Sequence, residues 1–239
     1  FVRDQEHTDG ATVLGELRVS RFLLEHFLPD YRVVSFRPGH LRDPYTLPQA
    51  LGGTGYLYSS SATANNSLTH LPFRLTHGRE TTAQSAVYEF PVSVEDEAKP
   101  PLADRLAQTL ALADRLGRYG GLLVVLIHTD VTDQKLEFER RLVEALHRRA
   151  WFGTLREFGE FWAARDRVTV DVERRGAQLR IALAAPARVA GLALGLPAGY
   201  RVASAEPREL RFTQTGGQIV IDALDGEATL ILEASGSAR

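Results

Sequence analysis

The spacing of apolar residues divides the chain into a front part of alternating strands and helices and a tail of short strands. Apolar residues recur at helical spacing over residues 12–28, and Pro29 ends that pattern. Apolar runs predict strands at residues 33–36, 55–58, 87–92 and 122–127. The segments between these strands predict helices, notably after Pro100 and over residues 134–149 and 155–164. This alternation is typical of an α/β fold.

The run at residues 122–127 is the most informative strand, because His128 and Asp130 follow it directly. Six apolar residues without polar alternation predict a strand that is buried on both faces, as in a parallel sheet. Active sites of such folds lie at the C-terminal ends of the strands. His128 is therefore a candidate active-site residue, and the alternative that it only hydrogen-bonds a loop stays open. Three further residues at predicted strand ends indicate a shared cleft, namely Arg37, Ser59 and Ser93.

The pattern changes near residues 165–167, which predicts two domains, 1–165 and 166–239. In the tail, short β-rich runs follow one another at near-regular intervals, as in an antiparallel sandwich or a small sheet domain. Gly216 and Gly217 between two such runs predict a hairpin. The tail has no His and no catalytic grouping, so a packing or spacer role is favoured over ligand binding. In the front part, residues 62–80 are polar and predict a long surface loop.

Composition narrows the class of protein. The 239 residues are 44% hydrophobic and 24% charged with a net charge of −2, which is typical of a globular chain and gives no electrostatic footprint for nucleic acid. No apolar stretch is long enough to span a membrane. The absence of cysteine excludes disulfides and thiolate chemistry. Of the 28 basic residues only Lys99 and Lys135 are lysine. The sequence begins at Phe1 rather than at Met, so a signal or a longer upstream segment is expected to have been removed, and the cellular compartment is not predicted from what remains.

Four short segments resemble the ordered landmarks of polysaccharide deacetylases, the NodB-homology family or carbohydrate esterase family 4. They read Ser-Phe-Arg-Pro-Gly at residues 35–39, Gly-Tyr-Leu-Tyr-Ser-Ser at 55–60, Tyr-Glu-Phe-Pro-Val at 88–92 and Leu-Ile-His at 126–128. The resemblance covers about residues 1–165. It implies an α/β fold in which a partial, distorted (β/α) barrel of deacetylase type precedes the small β-sandwich-like domain.

The resemblance implies a metal-assisted hydrolysis that removes N- or O-acetyl groups from an acetylated polysaccharide or oligosaccharide. It maps the general acid onto His128, which Asp130 flanks. It maps an orienting role onto Arg37, whose guanidinium would keep a base carboxylate ionised, although a structural ion pair is the alternative. The family also favours a secreted or extracytoplasmic protein.

The chain departs from the family pattern at its start. The family's paired Asp residues would lie before Phe1, so the base and one metal ligand are not in this sequence. The next family motif has two His separated by three residues, but Ala11 stands where the second would follow His7. His7 is the candidate ligand of a divalent metal, zinc or a similar ion, and a solvated surface position is its alternative. Neighbouring carboxylates that would help it are Asp4, Glu6 and Asp9.

Three further residues are candidates for substrate binding. His40 follows Arg-Pro-Gly where the family more often has an aromatic residue, and it either adds an imidazole to the cleft or faces solvent. His70 lies in the predicted loop that would border the cleft, and Tyr58 is a candidate for stacking on a sugar ring. The missing second His motivates an alternative function, a catalytically degenerate barrel that acts as a glycan- or protein-binding module.

Overall fold

The computed structural model describes residues 10–78, 80–130 and 133–235. The chain divides into two compact units, Phe1–Gly159 and Glu160–Arg239. The protein is a mixed α/β fold with a separate antiparallel sheet region in the second unit. No helix in the described ranges is both long and apolar enough to cross a membrane.

The described residues contain six α-helices, and those predicted from apolar spacing are confirmed. Helix α1 ends two residues before Pro29, whose ring cannot continue a helix. Its residues Val13 and Leu17 are fully buried against α2 and the first sheet. The helices are α1 Gly10–Phe27, α2 Leu47–Thr54, α3 Ala64–Ser67, α4 Leu106–Tyr119, α5 Asp133–Leu146 and α6 Leu155–Arg165.

Short parallel strands form the first unit's sheets. Strands β1, β2 and β4 are parallel neighbours, β3 pairs antiparallel with β4, and β5 pairs in parallel with β6. The strands are β1 Ser35–Phe36, β2 Tyr58–Ser59, β3 Phe73–His77, β4 Ala83–Glu89, β5 Val94–Glu95 and β6 Val125–Leu126.

The chain between β4 and β5 connects the two sets of strands. The Phe90 amide donates to the Ser59 carbonyl at 2.7 Å, and the Val92 amide donates to the Ala62 carbonyl at 2.9 Å. The Ser93 amide then donates to the Val124 carbonyl at 2.8 Å. Four extended segments of the first unit, which contain β1, β2, β4 with β5, and β6, are thus paired in parallel in chain order, while the intervening β3 is an antiparallel edge strand.

One prediction for the first unit was wrong, and one was correct only in part. The predicted loop at residues 62–80 contains α3 and β3, because β3 is an edge strand whose half-exposed residues carry little apolar signal. The predicted strand at 122–127 is reduced to β6, in which only Leu126 is buried. Among the described strands β6 pairs with β5 alone, so the apolar residues around it are covered on fewer sides than in a central strand.

The second unit is one antiparallel sheet centred on its last strand. Strand β11 pairs with β8 along one side and with β10 and then β9 along the other, while β7 pairs with the outer side of β8. The predicted hairpin is confirmed, since Gly216 and Gly217 join paired residues Thr215 and Gln218. The strands are β7 Thr169–Arg175, β8 Gln178–Gly195, β9 Tyr200–Glu206, β10 Phe212–Thr215 and β11 Gln218–Ala234.

Of the two predicted alternatives, an antiparallel sandwich or a small sheet domain, the second unit has the single antiparallel sheet, but its strands are longer than predicted. The apolar runs at residues 179–183 and 189–196 are two halves of β8, and those at 219–221 and 229–232 are two halves of β11. The apolar pattern is interrupted where the pairing shifts register, between Leu224 and Gly226, but the strands continue. Buried residues from both halves form one hydrophobic cluster.

Candidate functional site

The best-defined polar group in the first unit surrounds His128, which follows β6 by two residues. The segment after β5 brings Asp96 beside it. Asp96 Oδ1 lies 2.8 Å from His128 Nδ1, and Asp96 Oδ2 accepts the His128 backbone N–H at 2.9 Å. Only 1% of the Asp96 side chain is exposed, against 47% for His128. The buried Asp96 carboxylate therefore contacts both the imidazole and the backbone N–H of His128.

Lys135 completes this group from the first turn of α5. Its ammonium lies 2.7 Å from Asp96 Oδ2 and donates to the His128 carbonyl at 3.1 Å. It also donates to Asp130 Oδ1 at 3.2 Å. Asp96 and Lys135 thus hold the N–H and the C=O of His128 respectively. Asp130, with 75% of its side chain exposed, joins the group through Lys135.

The contacts shift the proton affinities of the group. Burial alone would raise the pKa of Asp96, but hydrogen bonds from Lys135 and His128 outweigh it and lower that pKa far below its usual range. The hydrogen bond to Asp96 raises the pKa of His128, and the negative charges of Glu97 and Asp130 add to the effect. The Asp96 carboxylate raises the pKa of Lys135 in the same way. Asp96 is therefore ionised, and the imidazole holds its proton to a higher pH than free histidine.

A second polar group lies where β1, β2 and β4 end. Arg37 follows β1, and its guanidinium donates to the Ser60 carbonyl at 3.1 Å and to the Ser60 hydroxyl at 2.7 Å. The Ser60 hydroxyl donates in turn to the Phe90 carbonyl at 2.8 Å. Burial lowers the pKa of Arg37, and the negative charge of Glu89 partly offsets this. Arg37 is thus fixed by the end of β2.

Glu89, the last residue of β4, is fully buried in the second group. Its Oε1 accepts the Ser61 amide at 2.6 Å and the Ala62 amide at 2.8 Å. Burial raises the pKa of Glu89, although hydrogen bonds from Ala62, Ser59 and Ser61 limit the rise. Glu89 therefore holds the turn after β2, and that turn holds Arg37.

The predicted substrate-binding residues lie in three different environments. His70 Nδ1 lies 2.9 Å from the Ser93 hydroxyl, so these two predicted residues are in contact. His40 is exposed in a short turn with a left-handed backbone, φ 56°. Tyr58 is only 4% exposed, and its ring packs edge-on against Phe90. The prediction that Tyr58 offers a stacking surface therefore needs correction, because its ring is part of the core.

The metal prediction rests on residues that the structure does not describe. His7 lies outside the described residues. Within residues 10–78, 80–130 and 133–235, no three or more His, Cys, Asp or Glu side chains are grouped so that they could hold a metal ion. The described donor set alone does not fit a metal.

The sequence patterns predicted no role for Asp96, Lys135 or Glu89. Signals for them were present. Asp96 is the middle of an acidic run, residues 95–97, that directly follows a predicted strand, and Lys135 is one of only two lysines. Glu89 lies within the deacetylase-like segment at residues 88–92. None of these signals names the partner of the residue, which only the fold supplies.

A comparison with protein-family models and with curated proteins gives no match to this chain.

Proposed function

We propose that this chain is part of a carbohydrate-directed hydrolase that removes N- or O-acetyl groups from an acetylated polysaccharide or oligosaccharide. The proposal rests on one observation, the hydrogen-bonding contact of the buried Asp96 carboxylate with the half-exposed imidazole of His128. Because Asp96 accepts from Nδ1, the Nε2 atom is left to meet a substrate. A fixed imidazole that keeps its proton to a higher pH than free histidine has the properties of a general acid.

The proposal includes a specific fold for residues 1–165, a partial, distorted (β/α) barrel of deacetylase type. It is supported by the position of the four deacetylase-like segments. Residues 35–39, 55–60, 88–92 and 126–128 all include or adjoin members of the segments that pair in parallel. Parallel strands that neighbour one another in chain order are the arrangement of (β/α) barrels, whose active sites lie at the strand C-termini.

In the proposed reaction, the base carboxylate takes a proton from water, the water oxygen bonds to the acetyl carbon, and the bond from that carbon to the sugar nitrogen or oxygen breaks, which releases acetate. His128 Nε2 delivers a proton to the departing nitrogen or oxygen, so that the sugar leaves as a neutral amine or alcohol. Ionised Asp96 stabilises the imidazolium before the transfer. Arg37, held by Ser60, is proposed to orient the base carboxylate. Zinc or a similar divalent ion, with His7 as a ligand, belongs to the proposal through the family resemblance.

Acetate release tests this function directly. The full-length protein, with zinc, cobalt or manganese added, is incubated with acetylated chitooligosaccharides, peptidoglycan and xylan. Acetate should appear with at least one substrate and should depend on His128. Absence of acetate with every substrate and metal would overturn the proposal.

A second candidate is a degenerate barrel that binds a glycan or a protein partner without hydrolysis. The observation that favours it is Ala11 at the position of the family's second His ligand. Metal content by elemental analysis, measured together with glycan binding, separates the two candidates. Stoichiometric metal counts against the binding module, whereas glycan affinity without metal and without acetate release favours it.

A further inference from the structure

We propose that Lys135 is a positioning residue for His128: it shares the Asp96 carboxylate with the imidazole and thereby limits how tightly that carboxylate holds a proton on His128. The inference rests on the proposed function of His128 as a proton donor. A general acid works best when its pKa lies near the working pH. A buried carboxylate with the imidazole as its only partner would hold the proton too firmly for ready release.

The contacts of Lys135 match the number of its donors. A lysine ammonium has three N–H bonds and no acceptor. The three acceptors are Asp96 Oδ2 at 2.7 Å, the His128 carbonyl at 3.1 Å and Asp130 Oδ1 at 3.2 Å. The two Asp96 oxygens are therefore divided, with Oδ1 facing the imidazole and Oδ2 facing the ammonium. Each partner weakens the hold of the carboxylate on the other.

The place of Lys135 in the sequence argues for a specific role. It stands in the first turn of α5, which begins at Asp133, and a cation there faces the positive end of the helix dipole. Two carboxylates and a carbonyl offset that cost. The chain uses arginine at all but two of its 28 basic positions, yet it has lysine here. A compact ammonium can meet three converging acceptors, whereas a planar guanidinium has its donors spread in a fork.

Charged side chains from three segments of the chain lie near His128. Asp96 and Glu97 lie on the segment after β5, Asp130 lies on the loop of His128 itself, and Lys135 comes from α5. The three carboxylates all favour the protonated imidazole. Lys135 opposes them through Oδ2 of the same Asp96 carboxylate whose Oδ1 contacts the ring. Loss of its charge should therefore strengthen the hold of Asp96 on the proton.

The test is an NMR titration of the histidine side chains in the full chain. Lys135→Met removes the charge and should raise the measured pKa of His128 by about 0.5 to 1, a modest share of what a nearby charge can do at a half-exposed site. Lys135→Gln is a second neutral variant that keeps a donor for Asp96, in case the Met variant does not fold. Lys135→Arg keeps the charge and should leave the pKa nearer to that of the wild type. The His128 signal is assigned by its loss in His128→Gln.

Lys99→Met is the matched control, because it removes the only other lysine, which is exposed on the loop after β5. It should leave the pKa of His128 unchanged. An unchanged pKa in the neutral Lys135 variants would overturn the proposal. A lowered pKa would also overturn it, since Lys135 would then only support the loop. The titration needs no substrate, so a raised pKa without any acetate release would instead show that the proposed function alone has failed.

Discussion

Gly159 on α6 lies so close to the ring of Tyr58 on β2 that a β-carbon at position 159 would be 2.4 Å from two carbons of the ring. Tyr58 is buried and packs against Phe90, so its ring has no free space into which to move. The glycine is therefore required by packing of the first unit's core, next to the strand ends that carry Arg37 and Glu89.

Gly159→Ala should lower the free energy of unfolding by about 1–3 kcal/mol, the usual cost of overpacking a core. Gly117→Ala on α4 is the matched control, because nothing lies within 4 Å of a β-carbon there. That control should raise stability by about 0.5–1 kcal/mol, since alanine is the better helix former. Urea denaturation of both variants measures the difference. Equal stability of the two variants would contradict the contact with Tyr58.

Glu89→Ala should destabilise the first unit by about 2–4 kcal/mol, because the amides of Ser61 and Ala62 lose their acceptor in a buried place. Glu89→Gln keeps an oxygen for both amides and should cost less than the alanine variant. Urea denaturation again measures both.

The difference in stability between the wild type and Glu89→Gln should also depend on pH. Because burial raises the pKa of Glu89 in the folded state, the wild type loses stability as the pH rises through that folded pKa. Glu89→Gln has no such ionisation. The stability of the Gln variant relative to the wild type should therefore improve as the pH increases, and a constant difference between pH 4 and 9, roughly the range over which a raised carboxyl pKa acts, would contradict the shift.

Asp96→Asn should flatten the acid limb of the stability curve. The folded-state pKa of Asp96 is lowered, so its carboxylate stabilises the fold above its unfolded pKa of about 3.9, and that stabilisation is lost as the pH falls further. Thermal unfolding between pH 2 and 7, a window around that roughly 3.9 value, measures the effect. Asp114→Asn, at an exposed ion pair on α4, is the control and should leave the acid limb as in the wild type. If stability fell with decreasing pH in Asp96→Asn as it does in the wild type, the result would contradict the contact of ionised Asp96 with His128.

His128→Ala should lower acetate release by about two to four orders of magnitude, the usual loss when a general acid is removed. The melting temperature should change little, because almost half of the imidazole is exposed and it packs little of the core. His147→Ala, an exposed histidine just after α5, is the control and should keep full activity. Unchanged turnover in His128→Ala would remove its catalytic role, and a collapsed fold would make the residue structural.

Elements with local signals were predictable from the amino-acid sequence alone. Apolar residues at helical spacing before Pro29 determined α1, and the glycine pair at 216 and 217 determined the turn between β10 and β11. The apolar run before His128 placed that residue just beyond a strand end. Each of these signals depends on residues within a few turns or a single strand, so the surrounding fold was not needed to recognise it.

Which side chains contact one another depends on the folded chain and could not be predicted from local patterns. Asp96 and His128 are 32 residues apart, and Glu89 and Ser61 are 28 apart, so each contact exists because β5 lies beside β6 and β4 beside β2. The strand partners also decided that Tyr58, although next to polar residues in sequence, is buried. The spacing of apolar residues indicates which face of a helix or strand is buried. It does not indicate which segment packs against that face, because this depends on the packing of the whole unit.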